Sequence, residues 1–138
     1  MANYIGSQIN QSVTIVEKAG AACDDCRNKI FKYDDNGNVV LAGEGDLAIG
    51  IGLIESGYND VTGKESGKVA AGEDVTVQIK DIGLVKAGAA ITKGKEVMAN
   101  ADGLAVPAVS GKHVIGIAQD TVEAGDYVYI IIQRYVKA

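Results

Sequence analysis

A chain of 138 residues with 18 glycines, one proline and 13 basic against 18 acidic side chains fits a single turn-rich domain of net charge −5. No basic cluster is present to neutralise phosphates, and no apolar run approaches the roughly 20 residues that span a bilayer, so neither nucleic acid nor a membrane is an expected partner. The opening Met1-Ala2-Asn3-Tyr4-Ile5-Gly6 lacks the basic and apolar regions of a secretory signal, so the expected place of synthesis is a cytoplasm.

Residues 1–17 read as an N-terminal arm. They are polar (Asn3, Ser7, Gln8, Asn10, Gln11, Ser12) until the strand-like Val13-Thr14-Ile15-Val16. From there the chain repeats itself. Lys18-Ala19-Gly20-Ala21-Ala22 returns as Lys86-Ala87-Gly88-Ala89-Ala90. Asn36-Gly37 and Ile49-Gly50-Ile51 return as Asp102-Gly103 and Ile115-Gly116-Ile117, both 66 positions later. Ala71-Gly72-Glu73 returns as Ala124-Gly125-Asp126 after only 53, so the first copy holds 13 extra residues within 55–70, a polar, Gly-rich stretch suited to a loop. The expectation is an all-β domain over 18–138, a small β-barrel or β-sandwich, with repeat one at 18–84 and repeat two at 86–138.

Each copy reads alike along the chain. A strand (29–33; 96–100) enters a tight Asn-Gly or Asp-Gly turn, whose residues tolerate positive φ. A second strand follows (39–42; 104–108), with Pro107 suggesting an edge. Then comes an Ile/Gly strand (47–55; 113–120). Its alternation places Ile49, Ile51 and Leu53 on one face and Gly50 and Gly52 on the other, where a backbone can approach. The last strand of copy one alternates Val75, Val77 and Ile79 with Thr76, Gln78 and Lys80, one face buried and one wet. Ile49, Ile51, Val77 and Ile79 are expected to join Ile115, Ile117, Ile130 and Ile132 in one shared core. Glycines in 19–28 and 86–90 argue against helix there.

The last strand of copy two differs. Val128, Ile130 and Ile132 keep the core set, but the outward set becomes Tyr127, Tyr129, Ile131, Gln133 and Tyr135. Three of the six tyrosines fall on this face. Apolar on both sides, it needs cover from the arm, from the other repeat or from another subunit. The polar counterpart in copy one favours a subunit interface carried by Tyr127, Tyr129, Ile131 and Tyr135.

Nothing reads as catalytic or cofactor-binding, and the chain is not expected to be an enzyme. Cys23-Asp24-Asp25-Cys26 has no second ligand pair for zinc, and adjacent aspartates oppose a reactive thiolate. In the repeat Cys23 aligns with Ile91, the place of a small hydrophobe. Asp34-Asp35-Asn36-Gly37-Asn38 lacks the Gly and Glu spacing of a calcium loop and reads as a turn. His113, the only histidine, has no nucleophile motif beside it.

The second copy carries a family resemblance in four segments. They are Ala87-Gly88-Ala89-Ala90-Ile91-Thr92-Lys93-Gly94-Lys95-Glu96-Val97, Ala101-Asp102-Gly103-Leu104-Ala105-Val106-Pro107-Ala108, Val114-Ile115-Gly116-Ile117-Ala118 and Ala124-Gly125-Asp126-Tyr127-Val128. This order of turns and strands resembles the capsid cement, or head decoration, proteins of tailed bacteriophages, over residues 87–132 with an echo in 18–79. The resemblance implies a β body on the outside of a phage head that binds the major capsid protein, stabilises the shell and assembles as a homo-oligomer, with a trimer the favoured form. Two other classes share the general pattern. A lipoyl- or biotinyl-type carrier needs a lysine at a hairpin tip, and the tips here are Asp35-Asn36-Gly37 and Ala101-Asp102-Gly103. A fibre or adhesin module is the third.

Overall fold

The computed structural model describes residues 13–53, 58–59, 64–65 and 67–138. Twelve strands occur among them, and no helix. They are β1 (Thr14–Lys18), β2 (Ile30–Tyr33), β3 (Val39–Leu41), β4 (Gly50–Gly52), β5 (Tyr58–Asn59), β6 (Lys64–Glu65), β7 (Asp74–Gln78), β8 (Ile82–Lys86), β9 (Glu96–Ala99), β10 (Ala105–Pro107), β11 (His113–Ala118) and β12 (Tyr127–Val136). Two antiparallel five-stranded sheets form a sandwich-like body that does not close into a barrel. A small β5–β6 hairpin lies in the extra segment of copy one.

The first sheet runs β1-β7-β4-β2-β3 and the second, read from its other edge, β8-β12-β11-β9-β10. These are one order written twice. The finer contacts repeat too. Cys23 bridges Val69 as Ile91 bridges Val122, and Ala19 bridges Val39 as Ala87 bridges Ala105. The Asp34 carboxylate accepts from Asn36 and Asn38 backbone N–H groups at 2.8 and 2.9 Å. Asn100 accepts in the same way from Asp102 and Leu104, at the same two distances. Both side chains close an Asx turn.

The unit in space starts earlier than the sequence seams suggest. β1 and β8 open the two sheets, so Thr14–Lys18 belongs to the first sheet and Ile82–Lys86 to the second. The sequence reading has no strand at β8 because Gly83 interrupts its apolar run. Packing explains that glycine, since a Cβ there would lie 2.6 Å from Ile51 Cδ1.

The expectation of a single shared core is corrected to two. One cluster holds Phe31, Val39, Val69, Val75 and Val77 with both cysteines, and Ile15, Leu41, Ile49 and Ile79 pack against it. The other holds Val85, Ile91, Val97, Ile115, Val128 and Ile130, together with Ile30, Ala42, Ala48 and Ile51 from copy one. Ile49 and Ile51 therefore serve different cores. The strand expected over 47–55 is ordered as a ladder only at Gly50–Gly52, so strict alternation does not extend to Ile49. In copy two a bulge between Val114 and Gly116 breaks the alternation likewise. Residues 54 and 55 lie outside the described residues. Gly50 and Gly116 share one reason for being glycine: a Cβ would strike the backbone oxygen of Gln78 or of Ile131.

Hydrogen bonds tie the copies together along the edge of β8. Asn28 accepts from Lys86 N at 2.9 Å through its backbone oxygen and donates to Leu84 O at 3.0 Å through its side chain. The buried Gln78 amide, 3% exposed, donates to Lys80 O and Ile82 O, both at 2.8 Å. Arg134 donates to Ile49 O at 3.0 Å and Ile79 O at 2.8 Å.

Candidate interaction surface

The outer face of the second sheet is assembled from β8, β12 and β11. Directly opposed pairs fix its membership: Tyr127 with Lys86, Tyr129 with Leu84, Ile131 with Ile82, and Ile117 with Ile131. Opposed side chains share a face and touch. Tyr127 is 41% exposed, Ile131 43% and Ile82 38%, while Tyr129, Leu84 and Ile117 are half-buried. Fully buried, each Tyr removes about 150–250 Å² from water, so this face approaches the few hundred Å² typical of a functional patch. No described part of the chain lies over it to bury Tyr127, Ile131 and Ile82.

Tyr127, Tyr129 and Ile131 stand together as their spacing predicts. Tyr135 lies beyond the bulge, opposite Val114, and reaches across β11 to donate its hydroxyl to Glu96 Oε2 at 2.6 Å. Lys137 pairs with the other Glu96 oxygen at 2.6 Å. These partners, Lys137 first, hold the Glu96 carboxyl below its usual range, and the carboxylate pushes the Tyr135 hydroxyl up to about 12. Glu96 also opposes Ile117, so the acid at the rim of the face has both oxygens satisfied within the chain. A covering partner would strand no bare charge there. Ile82 and Leu84 belong to the face and escape sequence reasoning, because β8 itself does. Gly83 between two large apolar residues is the signal that marks them.

The other candidates resolve into structure. Cys23 and Cys26 are free and buried in the first core, where burial, then the neighbouring Cys23, pushes the Cys26 thiol up to about 12. Asp25 is held low by its ion pair with Arg27, 2.9 Å away. His113 is half-buried and donates its backbone N–H to Gly45 O. No cluster of three or more His, Cys, Asp or Glu side chains suited to a metal ion occurs among the described residues. A separate apolar pocket of about 220 Å³ opens beside Cys23, between the 19–23 segment, Phe31 and β3.

No known protein family matches the chain by sequence, and no curated protein does either. A solved structure does resemble it. The head fiber gp8.5 N base of bacteriophage phi29 superposes with a TM-score of 0.62 at 20% identity, covering 89% of this chain and 95% of that one. At that identity the likeness establishes a common fold.

Proposed function

We propose that this chain is a non-catalytic structural protein of a bacteriophage particle, carried on the exterior of the head. The observation behind this reading is the likeness of nearly its whole length to the N base of a phage head fiber. The order of Gly and turn motifs in copy two points the same way. In this reading the chain decorates and stabilises the shell by binding the major capsid protein, needs no cofactor, and works as a homo-oligomer, with a trimer as the expected form. Its subunits meet through Tyr127, Tyr129 and Ile131, joined by Ile82 and Leu84, while Tyr135 fixes the rim. Repeated subunits give the assembly avidity for a shell that presents repeated sites.

The test is a double variant, Tyr129→Lys with Ile131→Glu. It is expected to remain folded by circular dichroism, to lose mass by light scattering, and to stop co-sedimenting with empty phage shells. A variant that keeps the wild-type mass and still co-sediments would place both interfaces elsewhere. A second reading, favoured by the superposition on the phi29 protein, is that this chain too forms the base of a head fiber. Electron microscopy of particles separates the two: decoration predicts many copies spread over the shell, and a fiber base predicts each copy beneath a projecting density.

A further inference from the structure

Copy one holds two thiols where copy two holds none, and its chain is longer at that place. Cys23 N donates to Val69 O as Ile91 N donates to Val122 O, and Asn28 N donates to Gly52 O as Gly94 N donates to Ala118 O. Between these matched bonds copy one advances five positions (28 − 23) and copy two three (94 − 91), so copy one carries two extra residues in this turn. The longer turn brings in Cys26, which is 0% exposed and donates its N–H to Gly67 O at 2.8 Å. Its thiol is hydrogen-bonded to Cys23. Cys23 borders the apolar pocket of about 220 Å³, and Cys26 does not. The two thiols therefore stand one behind the other, the outer beside a pocket and the inner sealed in the core. Asp25, between them in sequence, is paired through both carboxylate oxygens with Arg27.

We propose that Cys23 and Cys26 form a modification site at which hydrogen peroxide converts the two thiols into an intrachain disulfide. The pocket has room for the oxidant, since a water takes about 30 Å³ of liquid volume and the peroxide is little larger. Cys23 is the attacking thiol, because it borders the pocket, whereas burial keeps Cys26 protonated, its pKa pushed up to about 12. Cys23 gives its proton to water, and its sulfur attacks one peroxide oxygen. The O–O bond breaks, and the hydroxide that leaves takes up a proton. The product is a Cys23 sulfenic acid. The Cys26 sulfur then attacks the Cys23 sulfur, the S–O bond breaks, and a second water leaves with the Cys26 proton. The two thiols lose two electrons, and one peroxide is reduced to two waters. This second step joins groups already in contact, so it outruns further oxidation of Cys23. The bond fastens a turn whose two cysteine N–H groups already hold Gly67 O and Val69 O, and it links no second chain. It lies away from the tyrosine face and does not depend on the reading of the chain as a head protein.

The experiment uses the full chain, purified reduced and then exposed to hydrogen peroxide at neutral pH. Its intact mass is expected to fall by two hydrogens, and its free thiols from two per chain to none. Non-reducing electrophoresis should show no linked chains, and a thiol reductant should restore both thiols. Two variants read the order of attack. In Cys26→Ala the Cys23 sulfenic acid has no partner and should be trapped by dimedone. In Cys23→Ala the buried Cys26 should stay unlabelled. The wild-type masses decide the matter even if a variant fails to fold. A folded chain that keeps both thiols, one that gains oxygen without losing hydrogen, or one that forms only disulfides between chains would overturn the proposal. Dimedone on Cys26 in place of Cys23 would overturn it as well.

Discussion

Copy one turns the outer side of its sheet inward: Ile30, Ala42, Ala48 and Ile51 lie in the core of copy two. At the corresponding positions copy two carries Glu96, Ala108, Val114 and Ile117, and Glu96 is held by Tyr135 and Lys137. The opposite end differs as well. Where Gly83 leaves room for Ile51, copy one has Ile15, which packs into its own core. One strand order thus supports a joint between copies and, through two substitutions, ends that do not repeat the joint. Terminal units of repeat proteins close a stack by the same means, with an outer face that cannot accept another unit. Apart from Val109, the large apolar side chains left exposed on copy two sit on β8 and β12, beside the capped region, which is why they read as a surface for a partner.

The largest expected effect tests whether Ile51 belongs to the core of its neighbour. Ile51→Ala should cost about 2–5 kcal/mol in urea unfolding, as for a fully buried isoleucine. Ile117→Ala, at the equivalent but half-exposed position, should cost less than about 1.5 kcal/mol by losing only part of that burial. Equal losses would break the asymmetry.

Next in size is the tie along β8. Asn28→Ala leaves Leu84 O and its surroundings without the side-chain donor, at a cost of about 1–3 kcal/mol if the carbonyl stays dry. Hydrogen exchange should quicken at Lys86 N, whose acceptor is the Asn28 backbone, because the joint loosens there first. Unchanged exchange would mean that the joint rests on Ile30 and Ile51 alone.

Sequence pattern carried the all-β fold, the duplication and the equivalence of Cys23 with Ile91, because turn glycines and Asx residues act locally. Asp34 and Asn100 differ in sequence and still close the same turn. The pattern did not carry β8 or the second core, since both depend on long-range packing. Gly83 is explained by the distant side chains of Ile51 and Ile132, and Ile49 and Ile51 pack into different cores although the β4 ladder between Gly50 and Gly52 lies beside both. The tyrosine face was half legible: Tyr127, Tyr129 and Ile131 follow from alternation, whereas a bulge separates Tyr135 from them.

A smaller effect separates the copies by pH. Cys26 in copy one and Tyr135 in copy two both have folded pKa values raised to about 12, above their ordinary 9.0 and 10.0. A raised folded pKa means that the stabilisation is complete below the ordinary value and is lost as pH rises towards 12. The melting temperature should therefore begin to fall above about pH 9, the ordinary thiol range, as burial of Cys26 becomes a penalty. Cys26→Ala should move the onset to about pH 10, where Tyr135 takes over. On the acid side Asp25, Asp46 and Glu96 are held low, so stability present above the ordinary carboxylate range should fade as pH drops through their folded values. An alkaline limb unmoved by Cys26→Ala would show that the first core tolerates the thiolate.

The smallest effect is a gain. Cys23 and Ile91 hold the same backbone place, donating to Val69 O at 2.8 Å and to Val122 O at 2.9 Å. In copy two the isoleucine fills its core, and in copy one the smaller cysteine borders the pocket of about 220 Å³ lined by Ala19, Phe31, Val39 and Leu41. The pocket is apolar, so added methylene groups meet carbon on its walls and displace no bonded polar atom. Cys23→Ile should then stabilise by about 0.5–2 kcal/mol, the usual return from filling a cavity. The reciprocal Ile91→Cys should destabilise by more than that, because it opens space in a core that is already closed. Urea midpoints at constant m-value measure both. If Cys23→Ile instead loses about 1–3 kcal/mol, as overpacked cores do, the space beside Cys23 is the wrong shape for its counterpart's side chain. The two copies would then share a backbone without sharing an interior.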